Sequence, residues 1–283
     1  MLLLLTDDKC TALADAPVLK HIISSLEDGL YVAAVTSLGD DIFVLGSRDR
    51  LKVYDANTFK YQSDITIPGI HSFGLLAACY HFGCLYVTDD FKSIYRVDLS
   101  EPGRKTIKTW KVAYRPYGMS VNNAHNLIVA CGVNNIHEYT THGTLVREIC
   151  LEPDMIPLHA IQLSTGDYVV INRPCDSPEV ISVVGEDGIV RSTSRAFDMR
   201  DVNEASLAVT KNDVILIVDS RNNRILSTNH LLSSTCIQEV HLPVSSGIMH
   251  PYVLHLDESK GRLYVGVLGR NYGVLVFENV KLQ

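Results

Sequence analysis

The chain has 283 residues, with 25 Lys and Arg against 32 Asp and Glu, and its formal net charge of -7 argues against any function that relies on general attraction to phosphate backbones. Val, Ile, Thr, Tyr and Leu are abundant, and no stretch sustains the 3.6-residue periodicity of a substantial helix, so the composition points to an all-β chain. A chain of this length buries a large core without covalent staples.

Met1–Leu5 is an apolar start with no basic residues before it, and Asp7 and Asp8 end it too early for a signal peptide or a membrane span. Residues 1–16 read as an N-terminal extension. Val18–Leu26 has the alternating character of an outer strand. From there one pattern recurs. Apolar runs begin at Ile42, Leu85, Leu127, Tyr168, Ile215 and Leu263, at intervals of 41 to 48 residues. Each is preceded by a strand and followed by a polar turn, a third strand and, in the first five copies, an outer strand. Six copies with several short strands each predict a six-bladed β-propeller of four-stranded antiparallel blades. The sixth copy lacks its outer strand, since six residues follow Phe277. Pairing Val18–Leu26 with Val274–Phe277 would supply it and close the ring, so residues 17–283 read as one domain.

The fifth copy is the clearest. Val214–Val218 is a run of β-branched and apolar residues suited to burial on both faces. The polar residues Asp219 to Asn223 then form a tight turn in which Asn tolerates left-handed backbone. This stretch resembles the NHL repeat, as do Arg115–Val121 with Asn134 and Asn135, and Met249–Leu256 with Arg262–Val265. The resemblance covers about residues 18 to 280 and is specific in copies 3, 5 and 6. It implies a platform that recruits protein partners, as in tripartite-motif ubiquitin ligases, although RING, B-box and coiled-coil segments are missing from this sequence. Some members of the family read RNA, and some relatives are enzymes.

In such a ring the functional face surrounds the mouth of the central channel. Aligning the inner strands puts Tyr31, Phe73, Tyr117, His159, Ala205 and Tyr252 at equivalent positions, with Arg115 and Arg270 flanking the mouth. Rings with polar tips suit an extended peptide or a small ligand. The primary expectation is therefore a non-enzymatic module that binds a protein or peptide, without a cofactor, as a monomeric propeller. The rival is a metal-dependent lactonase-like or lyase-like hydrolytic enzyme, whose ligands in the channel would be Glu204, His159 and His250, with His71 and Asn203 nearby. No HxH or HExxH spacing supports it. RNA binding is a third reading. Arg48, Arg50, Lys92, Arg173, Arg221, Arg224 and Arg270 on the turns of this face are nearly balanced by Asp49, Asp89, Asp90, Asp176, Glu179 and Asp219, whereas an RNA-binding face should be clearly basic. The arginines are expected to pair with acids of neighbouring blades.

The seven cysteines (Cys10, Cys79, Cys84, Cys131, Cys150, Cys175 and Cys236) form no CxxC pair and lie mostly in apolar runs. Buried, reduced thiols in a cytoplasmic protein are expected. Trp110 is expected to pack between blades.

Overall fold

The computed structural model describes residues 17–24, 32–46, 50–70, 73–89, 91–101, 104–174, 179–194, 206–232, 236–240, 250–267 and 273–280. The described residues are all β, with six four-stranded antiparallel blades. β1 (Val18–Ser24) is the first strand among the described residues and belongs to the last blade. Blade 1 comprises β2 (Val32–Leu38), β3 (Asp41–Gly46), β4 (Leu51–Asp55) and β5 (Tyr61–Ile65). Blade 2 comprises β6 (Phe73–Cys79), β7 (Cys84–Asp89), β8 (Ser93–Glu101) and β9 (Arg104–Lys111). Blade 3 comprises β10 (Pro116–Val121), β11 (Leu127–Cys131), β12 (Asn135–Tyr139) and β13 (Leu145–Cys150). Blade 4 comprises β14 (Met155–Gln162), β15 (Tyr168–Pro174), β16 (Val180–Val184) and β17 (Val190–Ser194). Blade 5 comprises β18 (Leu207–Val209), β19 (Ile215–Asp219), β20 (Arg224–Thr228) and β21 (Gln238–Glu239). Blade 6 comprises β22 (Pro251–Asp257), β23 (Arg262–Val267), β24 (Gly273–Glu278) and β1.

The ring closes as the missing outer strand of the sixth copy requires. β1 pairs antiparallel with β24 from Val18 opposite Glu278 to Ser24 opposite Gly273, with one bulge between Leu19 and His21. Ile23 is buried there, in the cluster that holds Val274 and Val276. Closure in this way covers the edge of β24, which would otherwise offer a row of unpaired backbone groups.

Side-chain alternation explains why the second strands are uninterrupted apolar runs. Ile215 and Ile217 of β19 face blade 4 and pack with Ile171 and Ile181. Leu216 and Val218 face the other way, onto Leu263 and Val265 of blade 6. The second strand of each blade thus has two apolar faces and no solvent face. Trp110 fills the gap between blades 2 and 3, with its ring 6.2 Å from that of Tyr86 and close against Gly143.

The turn after β19 works as its residues dictate. The buried Asp219 carboxylate accepts hydrogen bonds from the Asn222 amide and from Arg224 Nε at 2.8 Å, and Asn223 adopts φ 55°. Arg224 stands directly opposite Asp219 in the β19–β20 ladder. Arg173 likewise pairs with Glu179 at 2.7 Å. These partners lie in the same blade and not in the neighbouring one, because a hairpin brings its two flanks together across the ladder.

Three of the cysteines, Cys79, Cys84 and Cys131, are buried, Cys236 is half-buried and Cys150 is exposed, and all five are free thiols. Cys150 departs from the expected burial because it sits on the outer strand β13, four of whose six residues are exposed. Cys10 and Cys175 lie outside the described residues. Among the described residues no helix is long and apolar enough to cross a membrane.

Candidate binding channel and its rim

The six inner strands surround a cavity of about 560 Å³ at the ring axis. Small and apolar side chains make most of its wall, including Ala33, Leu76, Ala78, Val121 and Ile161. Polar groups enter at defined points, among them Tyr80, Tyr117, His125, His159 and His255. This is the composition of a ligand site: an apolar surface that gains from losing water, with few polar groups to set orientation.

A bulge near the start of the inner strand sets which side chains reach the mouth. The register slips between Val32 and Ala34, Pro116 and Gly118, Pro157 and His159, and Pro251 and Val253. The extra residues are Ala33, Tyr117, Leu158 and Tyr252. Tyr117 and Tyr252 are therefore equivalent, but their counterparts in blades 1 and 4 are Ala33 and Leu158, not Tyr31 and His159. The expected ring of five aromatic or imidazole side chains does not form at one level. An unpaired bulge residue moves every later side chain by one position, which alignment by motif does not register. Phe73 opens β6, level with Pro116 in its ladder. Tyr31, Arg270, Glu204, Ala205, His71 and Asn203 lie outside the described residues.

At the mouth between blades 2 and 3, aromatic side chains are exposed in series. Phe91 is 75% exposed, Tyr114 39% and Tyr117 36%. They are brought together by the end of the β8–β9 ladder, where Ser93 stands opposite Lys111. Lys92 Nζ then donates to the Ala113 carbonyl at 2.8 Å, tying the Phe91 turn to the Tyr114 segment. The Arg115 guanidinium lies 5.7 Å from the centre of the Tyr117 ring. Gly132 makes room for that ring, since a Cβ there would stand 2.5 Å from Tyr117 Cε2. Phe91 and Tyr114 went unnoticed in the sequence because each sits in a polar loop, where a single aromatic residue is ordinary. His250 occupies the same face at the blade 5–6 boundary, and its backbone N–H donates to Asn223 Oδ1 at 2.7 Å.

His159 is placed inside the channel wall. Its Nε2–H donates to the Met119 carbonyl at 3.2 Å, and its Nδ1 accepts the Leu207 backbone N–H at 3.1 Å. Those two bonds specify the neutral Nε2–H tautomer. Burial pushes its pKa down to about 4, only partly offset by the Met119 carbonyl. Both ring nitrogens are thus committed to joining blades 3, 4 and 5.

A second polar group in the channel comes from three blades. Ser37 Oγ lies 3.0 Å from Asp257 Oδ2, 2.9 Å from His255 Nε2 and 2.8 Å from the Tyr80 hydroxyl. One hydroxyl has one proton. Donated to the Asp257 carboxylate, it leaves Ser37 Oγ to accept from Tyr80 O–H and from His255 Nε2–H. The group has the composition of a Ser-His-Asp triad but not its wiring. In a triad the carboxylate orients the imidazole, which in turn takes the serine proton. Here the carboxylate accepts the serine O–H hydrogen bond directly, and Ser37 is fully buried. The arrangement joins blade 6 to blades 1 and 2. Burial pushes the His255 pKa down to about 4, against the attraction of Asp257. None of the four was singled out in the sequence. The available signal was a hydroxyl and an imidazole inside apolar inner strands. Among the described residues no cluster of three or more His, Cys, Asp or Glu side chains is arranged to hold a metal ion.

No protein-family profile matches the chain, and no curated protein matches it significantly. Solved structures do. A structural-genomics protein of unknown function from Bacteroides thetaiotaomicron aligns with a TM-score of 0.66 at 11% identity, over 90% of this chain and 70% of that one. A streptogramin B lyase aligns with a TM-score of 0.62 at 10% identity, over 91% and 86%. A catalytically inactive virginiamycin B lyase from Staphylococcus aureus, with quinupristin, gives 0.59 at 13% identity, over 93% and 89%. At these identities the likeness is one of fold.

Proposed function

We propose that this chain is a non-enzymatic recognition module of NHL type, and that the channel mouth binds an extended segment of a protein partner. The observation that carries this reading is the set of exposed aromatic side chains Phe91, Tyr114 and Tyr117 on the connections of blades 2 and 3, of which Tyr117 lines the channel with Arg115 against its ring. Exposed rings beside an arginine are the side chains that supply most of the binding energy at protein interfaces. A slender segment fits better than a flat partner because the rim leads into a cavity of about 560 Å³. The resemblance of copies 3, 5 and 6 to the NHL repeat supports the same assignment. So does the engagement of the titratable groups in and behind the channel wall: both nitrogens of His159, Nε2 of His255 and Oδ2 of Asp257 bond to neighbouring blades.

Peptides selected on the intact chain from a random display library test it. Replacing both Tyr117 and Tyr252 by Ala is expected to weaken the selected peptides at least tenfold while the melting temperature stays near that of the parent. Unchanged affinity in a folded double variant overturns the site. The lyases of the same fold motivate a second reading, in which Glu204 and His250 hold a catalytic ion, His159 leaving the expected ligand set because both its ring nitrogens are engaged by backbone. Elemental analysis of purified protein separates the two: a stoichiometric divalent ion lost on Glu204→Ala selects the enzyme.

A further inference from the structure

Cys79 and Cys84 are five positions apart in sequence and directly opposite one another in space, as Cα partners that close the β6–β7 hairpin. Opposed residues of an antiparallel ladder have Cα atoms about 4.5–5.5 Å apart, within the range a disulfide spans. Both are free thiols in the structure. They are also chemically unequal. The hydrogen bond from the Cys84 thiol pulls the pKa of Cys79 down against the cost of burial, assisted by the backbone amides of Phe82 and His81 and by the nearby His125 ring. That same hydrogen bond, together with burial, pushes Cys84 up. A thiol whose pKa is lowered beside one whose pKa is raised is the ordering that makes the first the nucleophile and the second its resolving partner.

Cys79 belongs to the cavity wall but is only 1% exposed, and Cys84 is fully buried, both packed in the core between blades 2 and 3, so only a small oxidant can approach the pair, from the channel side. The buried Cys131 stands opposite Pro116 and not another thiol, and burial pushes its pKa up to about 12. The hairpin turn itself ties the pair to the ring. Tyr80 bonds to Ser37 of blade 1, and the His81 ring stacks on His125 of blade 3 with centroids 4.0 Å apart.

We propose that Cys79 and Cys84 form an oxidant-responsive dithiol that is converted to a disulfide by small peroxides entering the channel. The Cys79 thiolate attacks one peroxide oxygen, the O–O bond breaks, and the departing hydroxide takes a proton to leave as water. The resulting sulfenic acid at Cys79 is then attacked by the Cys84 sulfur. An S–S bond forms, the S–O bond breaks, and the Cys84 proton leaves with the oxygen as a second water. One dithiol and one hydrogen peroxide become one disulfide and two waters. Any thiol reductant reverses the step by exchange. Closing this bond fixes the turn that presents Tyr80 and His81 to the channel. The proposal does not depend on the peptide-binding reading.

The test uses the intact, fully reduced chain treated with stoichiometric hydrogen peroxide, alkylated and digested. A peptide linking Cys79 to Cys84, absent before treatment and removed by dithiothreitol, is expected. Cys84→Ser is expected to stop at the first step, with dimedone labelling Cys79 in preference to the exposed Cys150. Peroxide treatment that leaves both thiols alkylatable in the folded parent overturns the proposal, and so does dimedone labelling confined to Cys150 or Cys236. Because the linkage is read on the parent protein, a variant that fails to fold does not rescue the idea.

Discussion

The imidazole of His159 reaches across a blade boundary to the backbone of Met119, donating Nε2–H to its carbonyl at 3.2 Å. The other ring nitrogen takes the Leu207 N–H, so one side chain spans three inner strands. A histidine that works in this way must stay neutral.

That requirement makes stability depend on pH. The folded pKa values of His159 and His255 are pushed from the usual 6.5 down to about 4 by burial. The unfolded chain therefore binds more protons between these values, and stability is complete above about pH 6.5 and declines as pH falls toward 4. Each histidine contributes at most about 3 kcal/mol to this loss. Chemical denaturation at pH 7 and pH 5 should show a lower midpoint at pH 5. The gap should narrow in His255→Gln if that variant keeps its bond to Ser37. An unchanged midpoint across this interval would show that these rings are solvated.

Two glycines separate packing from recognition. An added Cβ at Gly118 would lie 2.4 Å from the Leu158 carbonyl oxygen and 2.7 Å from His159 Cα, both in the backbone of the next blade. Gly118→Ala should therefore cost roughly 2–3 kcal/mol, measured by urea unfolding, because the blades must move apart. At Gly132 the clash is with the edge of the Tyr117 ring. Gly132→Ala should cost less than about 1 kcal/mol while displacing that ring, and so weaken peptide binding with little change in melting temperature.

Ser37→Ala removes the hydroxyl shared by Asp257, His255 and Tyr80. Hydrogen bonds from Ser259, Ser37 and the Lys260 amide hold the Asp257 carboxyl below the usual carboxylate range against the cost of burial. Losing one of them at a buried carboxylate should destabilise the protein by about 2 kcal/mol. Thermal melts at neutral pH check it, and a loss below experimental error would mean that water replaces the serine.

Ring closure can be tested by taking the closing strand away. A chain starting at Val32 leaves the edge of β24 uncovered and should self-associate or melt well below the parent. A synthetic peptide with the sequence of Val18–Ser24 should restore the parent's association state and melting temperature. Failure of the peptide to affect either property would show that β1 contributes little to closure.

Part of the candidate rim was legible in advance: Tyr117 and Tyr252 were expected near the starts of inner strands, and both line the cavity. The Ser37, Tyr80, His255 and Asp257 group was not, since its members are up to 220 positions apart and meet only when the last blade abuts the first. The same holds for Cys79 and Cys84, whose spacing matches no familiar thiol motif until a four-residue turn sets them face to face.

The sequence by itself determined the six blades, their strand order and the strand that closes the ring. Those follow from local alternation, turn chemistry and a repeat that shows in any window of about fifty residues. Only the tertiary structure decided which side chains share the channel. That outcome depends on single-residue bulges and on contacts between blades, and neither leaves a periodic trace along the chain.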